Sequence, residues 1–401
     1  MIPGDTDMKR VILHCDMDRY FATVEEKYNP KLKNVQFAVC GDPEMRHSIV
    51  MSKNQLAEKA GVPTGVSFRQ AQQICPNLQY IRADFNKYLE QTKLSRAVYQ
   101  KYSDSIIPYG MDESWIDLGN VSYKEAEQIA ELIRLEIKYS LGLSASLGVS
   151  YNYIFSKLGS DYRKPNAITT VSPQNYKNII WPLPASDLLF VGDKRMKLLQ
   201  GIGIITIGDI ACSKPERLIK FLGKVGYDIW RFANGDDRTF KPNNDNIGSI
   251  GNTITPPTDL HTDEDVSAIL YLLAATVSTR LKNHNLKTRC ISVNLRDNGF
   301  NKKTRQCSFT TPTNDANKIF NQAYALFAKH YKWERPLRSI GIRADSLEHR
   351  EQLTLLPTEP TELSININER VKRLTDRLGP LTVEKGAGIK EFWQCADVIP
   401  S

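Results

Sequence analysis

Seven cysteines, scattered and odd in number, include no C-x-x-C pair. Neither a disulfide framework nor a cysteine zinc site is expected, and the thiols should stay reduced. The six histidines form no H-E-x-x-H or H-x-x-x-H pair, which argues against a histidine metal site. Any metal would therefore be held by carboxylates. The longest near-continuous apolar stretch, residues 268–277, falls short of the roughly 20 residues that cross a bilayer. Near the N-terminus only Val11-Ile12-Leu13 stands where a secretory signal needs a longer apolar run. A cytoplasmic protein with no membrane partner is expected. No internal repeat or low-complexity tract is visible.

What is present is ordinary globular material. The chain has 401 residues, 41% hydrophobic and 24% charged, which excludes wholesale disorder and coiled-coil or collagen composition. At about 150 residues per domain this length predicts two to four domains. The formal net charge of +8 is unevenly spread: residues 241–350 hold 16 Lys plus Arg against 10 Asp plus Glu, +6 of the total. Within residues 280–308 eight basic side chains stand against one acid, Asp297. There Ile291, Val293 and Leu295 alternate with Ser292, Asn294 and Arg296, the pattern of a half-buried strand. Asp297-Asn298-Gly299 makes a turn and residues 303–309 return, so the charge lies on a hairpin. Arg289, Arg296, Lys302, Lys303 and Arg305, with Arg343 on a further strand, are the expected contacts to a nucleic-acid backbone.

Along the chain, residues 11–16 form an apolar run ending in acid, expected as a core strand that delivers Asp16 at its end. Short helices are expected at 54–60 and 68–74, with a longer one at 88–102. Gly110-Met111-Asp112-Glu113 then sits at a bend before a strand at 114–118. Residues 124–140 form an amphipathic helix and 143–149 a strand of small residues. Trp181-Pro-Leu-Pro184 marks a boundary. Beyond it glycine-interrupted helical segments at 190–192, 201–203 and 222–226 suggest helix-hairpin-helix turns, whose backbone N–H groups meet a phosphate. After residues 241–246 a new unit begins: a helix capped by Thr262 with Asp263, Glu264 and Asp265 in its first turn, the hairpin, a helix at 316–330 and a strand at 338–344. Together these make a β-α-β-β-α-β-like unit.

Asp16, Asp112 and Glu113 would converge if their two strands pair side by side. Three carboxylates suit a two-magnesium site, because hard divalent ions take oxygen ligands and leave positions for substrate phosphates.

His14-Cys-Asp16-Met-Asp18-Arg-Tyr-Phe21-Ala-Thr-Val-Glu-Glu26, Tyr109-Gly-Met-Asp112-Glu113-Ser-Trp-Ile-Asp117, Ser146-Leu-Gly148-Val-Ser150 and Lys164-Pro165-Asn166 stand in an order and at spacings that resemble the Y-family DNA polymerases, above all their DinB branch. The likeness runs from about Val11 to about Leu356. It implies an α+β right hand: palm at 1–27 and 85–178, fingers at 28–84, a helix-hairpin-helix thumb at 179–240, a linker at 241–246, a little finger at 247–350 and a tail at 351–401. It further implies a translesion DNA polymerase, acting as a monomer on primer-template DNA and dNTPs with two Mg²⁺ ions. Asp16, Asp112 and Glu113 would be the catalytic, metal-binding acids, with the Met17 carbonyl completing the first metal's shell. Phe21 would be the steric gate against ribonucleotides, and Tyr20, Phe21, Ser52 and Lys164 would grip the triphosphate. Gln352, Leu353, Leu355 and Leu356 resemble a peptide that docks on the sliding clamp. Two positions depart from the pattern: Gln55 stands where many relatives have Tyr, and Glu58 where they have Arg. An acid there would repel a triphosphate. Either Glu58 turns away and Lys53 or Lys59 supplies the charge, or nucleotide binding is weaker. The competing readings are a non-catalytic DNA- and clamp-binding protein of the same fold, and a metal-dependent nuclease.

Overall fold

The computed structural model describes residues 10–41, 48–240 and 247–349. The expected linker at 241–246 and the tail with Gln352, Leu353, Leu355 and Leu356 lie outside the described residues. The chain divides into two compact units, one built from residues 10–40 and 49–240, the other from 247–349.

In the first unit, β1 (Arg10–Met17) and α1 (Tyr20–Tyr28) lead into β2 (Phe37–Cys40), β3 (Val50–Lys53), α2 (Gln55–Lys59), α3 (Phe68–Ile74) and β4 (Gln79–Arg82). Then follow α4 (Phe85–Tyr99), β5 (Ser105–Tyr109), β6 (Glu113–Asn120), α5 (Tyr123–Glu136), β7 (Ala145–Ser150), α6 (Tyr153–Tyr162) and β8 (Ile168–Val171). A five-stranded sheet runs β5-β6-β1-β7-β8, and β3-β2-β4 forms a smaller sheet with its own apolar cluster around Val50, Ala57, Ala71 and Leu78. The central strand β1 is buried on both faces, which is why it reads as a continuous apolar run rather than an alternating one. Leu13, Cys15 and Met17 join the core with Tyr88, Val98, Ala130 and Ile133 of α4 and α5. Ile12 packs on the opposite side with Trp115 and Tyr153, so His14 and Asp16, two and four residues on, share that face.

Helix α6 lies unusually close to β7. A Cβ on Gly148 would stand 1.8 Å from the carbonyl oxygen of Ser156 and 2.5 Å from the nitrogen of Ser160, and Gly159 faces back onto Gly148. Backbone cannot yield there as a side-chain end can, so Gly148→Ala is expected to cost about 1–3 kcal/mol through overpacking, read as a lower melting temperature. The same close approach brings Lys157 of α6 to Glu113 and Ser160 to His14.

Helices α7 (Tyr176–Ile179), α8 (Asp193–Gln200), α9 (Ile207–Cys212), α10 (Pro215–Leu222) and α11 (Lys224–Ala233) complete the unit. Two of the three turns expected from glycine are there: Gly203 between α8 and α9 has φ +77°, and Gly223 between α10 and α11 has φ +64°; at 190–192 it is Phe190, φ +70°, and not Gly192 that takes the left-handed region. The prolines at 182 and 184 do interrupt the helices, yet no core boundary falls there. Ile154, Phe155 and Leu158 of α6 share one cluster with Leu188, Ile207, Leu218 and Phe232. Proline stops a helix locally but says nothing of where apolar faces meet.

The second unit runs β9 (Ile250–Ile254), α12 (Asp263–Asn283), β10 (Leu286–Asp297), β11 (Lys302–Thr313), α13 (Ala316–His330) and β12 (Leu337–His349), the β-α-β-β-α-β order, with sheet order β11-β10-β12-β9. Thr262 caps α12 by accepting the Asp265 N–H at 3.2 Å. Val266, Ile269, Leu270, Leu273, Val277 and Leu281 form its buried stripe against Ile291, Val293 and Leu295 of the sheet.

Candidate active site

Strand β6 pairs antiparallel with β1 in a register that sets Glu113 opposite Asp16. The Met17 N–H donates to the Asp112 carbonyl at 3.0 Å, so the turn ahead of β6 is tied to the end of β1 by backbone. From the other side α4 holds the same turn: Thr92 Oγ1 donates to the Met111 carbonyl at 2.8 Å and Arg96 Nη2 to the Gly110 carbonyl at 2.9 Å. The strands do pair side by side, which brings Asp16 to the same sheet end as Asp112 and Glu113; Asp16 groups with Glu113 beside His14, and Asp112 lines the cavity with Asp16 but is not part of that group.

Ligand atoms of His14, Asp16 and Glu113 lie within 4.8 Å of one another. Two lysines answer these carboxylates. Lys164 Nζ is 2.6 Å from Asp16 and 2.7 Å from Asp161, and Lys157 pairs with Glu113. Burial pushes the Asp16 carboxyl up to about 7 against the pull of Lys164, and burial with the neighbouring Glu113 raises Asp112. For Glu113 burial acts upward too, but His14 and the Lys157 ammonium outweigh it and leave this carboxyl below its ordinary range. Crowded, half-neutralised carboxylates of this kind are a site short of positive charge.

His14 is fully buried, and burial drives its imidazole down to about 4, so it is neutral at pH 7. Its Nδ1 lies 2.7 Å from Ser160 Oγ and its Nε2 3.2 Å from Glu113. Asp18, in the same block, plays a different part from Asp16. It accepts from Ser146 Oγ at 2.8 Å and from the Asn166 N–H at 2.8 Å, fastening the Lys164–Asn166 loop to β7.

An open cavity of about 430 Å³ rises above Asp16 and Asp112, lined by Met17, Tyr20, Phe21, Ser52 and Lys164 among others. All of the residues expected to grip a triphosphate thus meet at one cavity. Tyr20 is buried, its hydroxyl donating to the Tyr88 carbonyl at 2.6 Å. Ser52 Oγ accepts the Ala22 N–H at 3.4 Å. The Phe21 ring is set by neighbours on α4, with centroids 4.6 Å from Tyr88 and 6.1 Å from Phe85. Gln55 is exposed and outside the lining. Glu58 does line the cavity, and neither Lys53 nor Lys59 takes its charge. Arg19 does, with Nη1 3.0 Å from Glu58 Oε2.

In the second unit the six expected DNA contacts divide between faces. Arg296 pairs with Lys302 across the hairpin, and Arg343 pairs with Ser292, all opposite the helices. Lys303 and Arg305 pair with the inward Leu295 and Val293, so they stand on the helix side of the edge strand. Lys303 Nζ lies 5.7 Å from the Tyr331 ring there. Arg289 is paired with Glu348, and Arg343 Nε lies 3.0 Å from Asp345.

Two family descriptions match the chain, the impB/mucB/samB family over residues 15–161 and the impB/mucB/samB family C-terminal domain over residues 248–355. A DNA polymerase IV from Acetivibrio thermocellus is 38% identical over 388 residues, 94% of this chain and 97% of that protein. DNA polymerase IV from Streptococcus mutans is 32% identical, over 88% of this chain and 98% of its own length. DNA polymerase IV 1 from Bacillus subtilis is 29% identical, over 97% and 95%. A solved Y-family DNA polymerase chimera shares the fold, with a TM-score of 0.76 at 21% identity over 84% of this chain and 99% of that one. The chain belongs to the impB/mucB/samB family and is a DinB-like member of the Y-family DNA polymerases. A non-catalytic reading of the same fold is not favoured.

Proposed function

We propose that this DNA-directed DNA polymerase of the translesion type extends a primer at Asp16, Asp112 and Glu113. The observation that carries the assignment is the register of β1 and β6, which sets Glu113 opposite Asp16 with Asp112 on the tied turn, while Asp16 and Asp112 line the cavity. The family uses divalent metal ions. We assign two Mg²⁺ ions to these three carboxylates and the Met17 carbonyl, an all-oxygen donor set of the kind hard cations take. When bound, such ions activate the primer 3′-hydroxyl and neutralise charge on the triphosphate.

The chain's own residues do the positioning. Helix α1 begins without a side-chain cap, which leaves the N–H groups of Tyr20 and Phe21 free to meet phosphate oxygens. Lys164, paired with Asp16 and lining the cavity, is the cation that would meet the triphosphate. Lys157 holds Glu113 in place, with His14 Nε2 beside it. On this reading the palm is 1–27 and 85–178, the fingers 28–84, the thumb 179–240 and the little finger 247–350. One chain supplies every residue of the site, which supports action as a monomer, in the cytoplasm where primer-template and dNTPs are found. Residues 352–356 remain our proposed clamp-docking peptide on sequence grounds alone.

The helix-free face of the second unit's sheet, with Arg296, Lys302 and Arg343 around small polar residues, is the proposed DNA surface. Replacing these three by Ala together is expected to reduce the slope of log affinity against log salt by about 2–3 and weaken binding without regard to sequence. The Lys303/Arg305 pair, on the other side, should change that slope less. The function itself is tested with labelled primer-template and Mg²⁺, with and without dNTPs. Extension that depends on dNTPs supports it; shortening without dNTPs would mean a nuclease, and no change a binding protein.

A further inference from the structure

The cavity lining holds three cations, Arg19, Lys53 and Lys164, and three carboxylates, Asp16, Asp112 and Glu58. Two of those carboxylates lie at the metal site. Glu58 is the acid with no place there, and its partner is Arg19. Both backbones are fastened. Asn54 caps α2 by accepting the Ala57 N–H at 3.0 Å and anchors it by donating to the Val35 carbonyl at 2.8 Å. Arg19 sits in a left-handed turn, φ 48°, just before α1, between the tied Asp18 and Thr23, whose hydroxyl donates to the Asp18 carbonyl at 2.8 Å. Only the side chains are free to swing. The pair is also exposed, Glu58 by 48% and Arg19 by 25%, so it is weak and easily exchanged.

We propose that Arg19 is a triphosphate-binding residue which Glu58 masks until a nucleotide arrives. This rests on the reading of the cavity as the nucleotide site. A guanidinium held by one exposed carboxylate will exchange it for a phosphate, which offers more charge and more acceptor oxygens in a fork-matching geometry. The triphosphate displaces Glu58, which turns to solvent from the surface of α2. The ion pair therefore lowers dNTP affinity by whatever it costs to open, and the position that would repel substrate becomes a counter-ion released on binding. Arg19 supplies the charge from the turn before α1 rather than from α2.

The test is a double-mutant cycle on the full chain, bound to primer-template with a 3′-dideoxy primer end so that no chemistry follows. Affinity for the correct dNTP is read with Mg²⁺ from a fluorescent template base. Glu58→Gln is expected to tighten dNTP binding about two- to fivefold, the worth of an exposed pair. Arg19→Ala should weaken it about tenfold or more, as for a lost hydrogen bond to a charged group. In the Arg19→Ala background Glu58→Gln should give no gain, and affinity for DNA should be unchanged throughout. An equal gain from Glu58→Gln with and without Arg19 would mean plain repulsion and overturn the masking. Unchanged affinity in Arg19→Ala would overturn it too. Lys164→Ala separates the two levels: if it weakens dNTP binding while the cycle is flat, only the mask fails. If Lys164→Ala and Arg19→Ala are both without effect, the cavity is not the nucleotide site.

Discussion

Asp112→Ala is expected to lower primer extension by about a thousandfold or more, the several kcal/mol that metal-held charge contributes to a phosphoryl-transfer transition state. Binding to primer-template should survive, since the proposed phosphate contacts lie on Arg296, Lys302 and Arg343. Folding should survive as well. What ties the turn to β1 is the Asp112 carbonyl, which accepts from Met17 and remains after substitution. The carboxylate is not held by the fold: burial and Glu113 raise its pKa above the unfolded value, so its ionised form is disfavoured in the native state. The native state keeps that proton longer, and stability from this group is present below the unfolded pKa and lost as pH rises through the folded one. An amide at 112 has no ionised form to disfavour. Asp112→Asn should therefore melt at the wild-type temperature or slightly higher while extending no primer. Extension at the wild-type rate, by a variant that binds DNA normally, would remove Asp112 from the catalytic set.

Local chemistry made much of this readable. Thr262 followed by three acids and a stripe at 266, 269, 270, 273, 277 and 281 specifies a helix and its buried side within the segment itself, and α12 has both. The alternation at 291–295 likewise fixes which side of β10 is inside. Acid at the end of one apolar strand and at the start of another needs only that the two strands pair for the cluster to form. Other features depend on side chains that meet across long stretches of chain. Arg19 and Glu58 are 39 residues apart, and the question posed by an acid at 58 could be answered only by knowing what packs beside it. Lys157 and Ser160 reach Glu113 and His14 because Gly148 lets α6 come close, a distance no periodicity reports. His14 stands two residues before Asp16 on the same strand face, and a paired-histidine spacing does not mark a lone imidazole that sits beside a carboxylate. Counting charge along 302–305 could not separate faces either; pairing with Leu295 and Val293 does.

Phe21→Ala is expected to admit ribonucleotides, raising the ratio of rNTP to dNTP kcat/KM by about two orders of magnitude. A ring in fixed contact with the sugar rejects an added hydroxyl by overlap, a larger effect than an apolar pocket achieves by affinity alone. The rejection requires that the ring not give way, and here it cannot easily do so. Tyr88, with its ring 4.6 Å from that of Phe21, is itself held by its hydroxyl, which donates to Glu25 at 2.8 Å. Tyr20, 5.6 Å away, and Phe85 also pack on the ring, which lines the cavity. Phe21→Val should give an intermediate ratio, because a branched side chain still fills part of the space below the sugar. The loss of aromatic packing should fall on both nucleotides alike, so the ratio separates gating from damage to the site. Single-nucleotide insertion opposite one template base, with matched dNTP and rNTP, measures it. If Phe21→Ala lowers both rates in proportion and the ratio stays at the wild-type value, the ring is part of the core around Tyr88 and something else in the cavity reads the sugar.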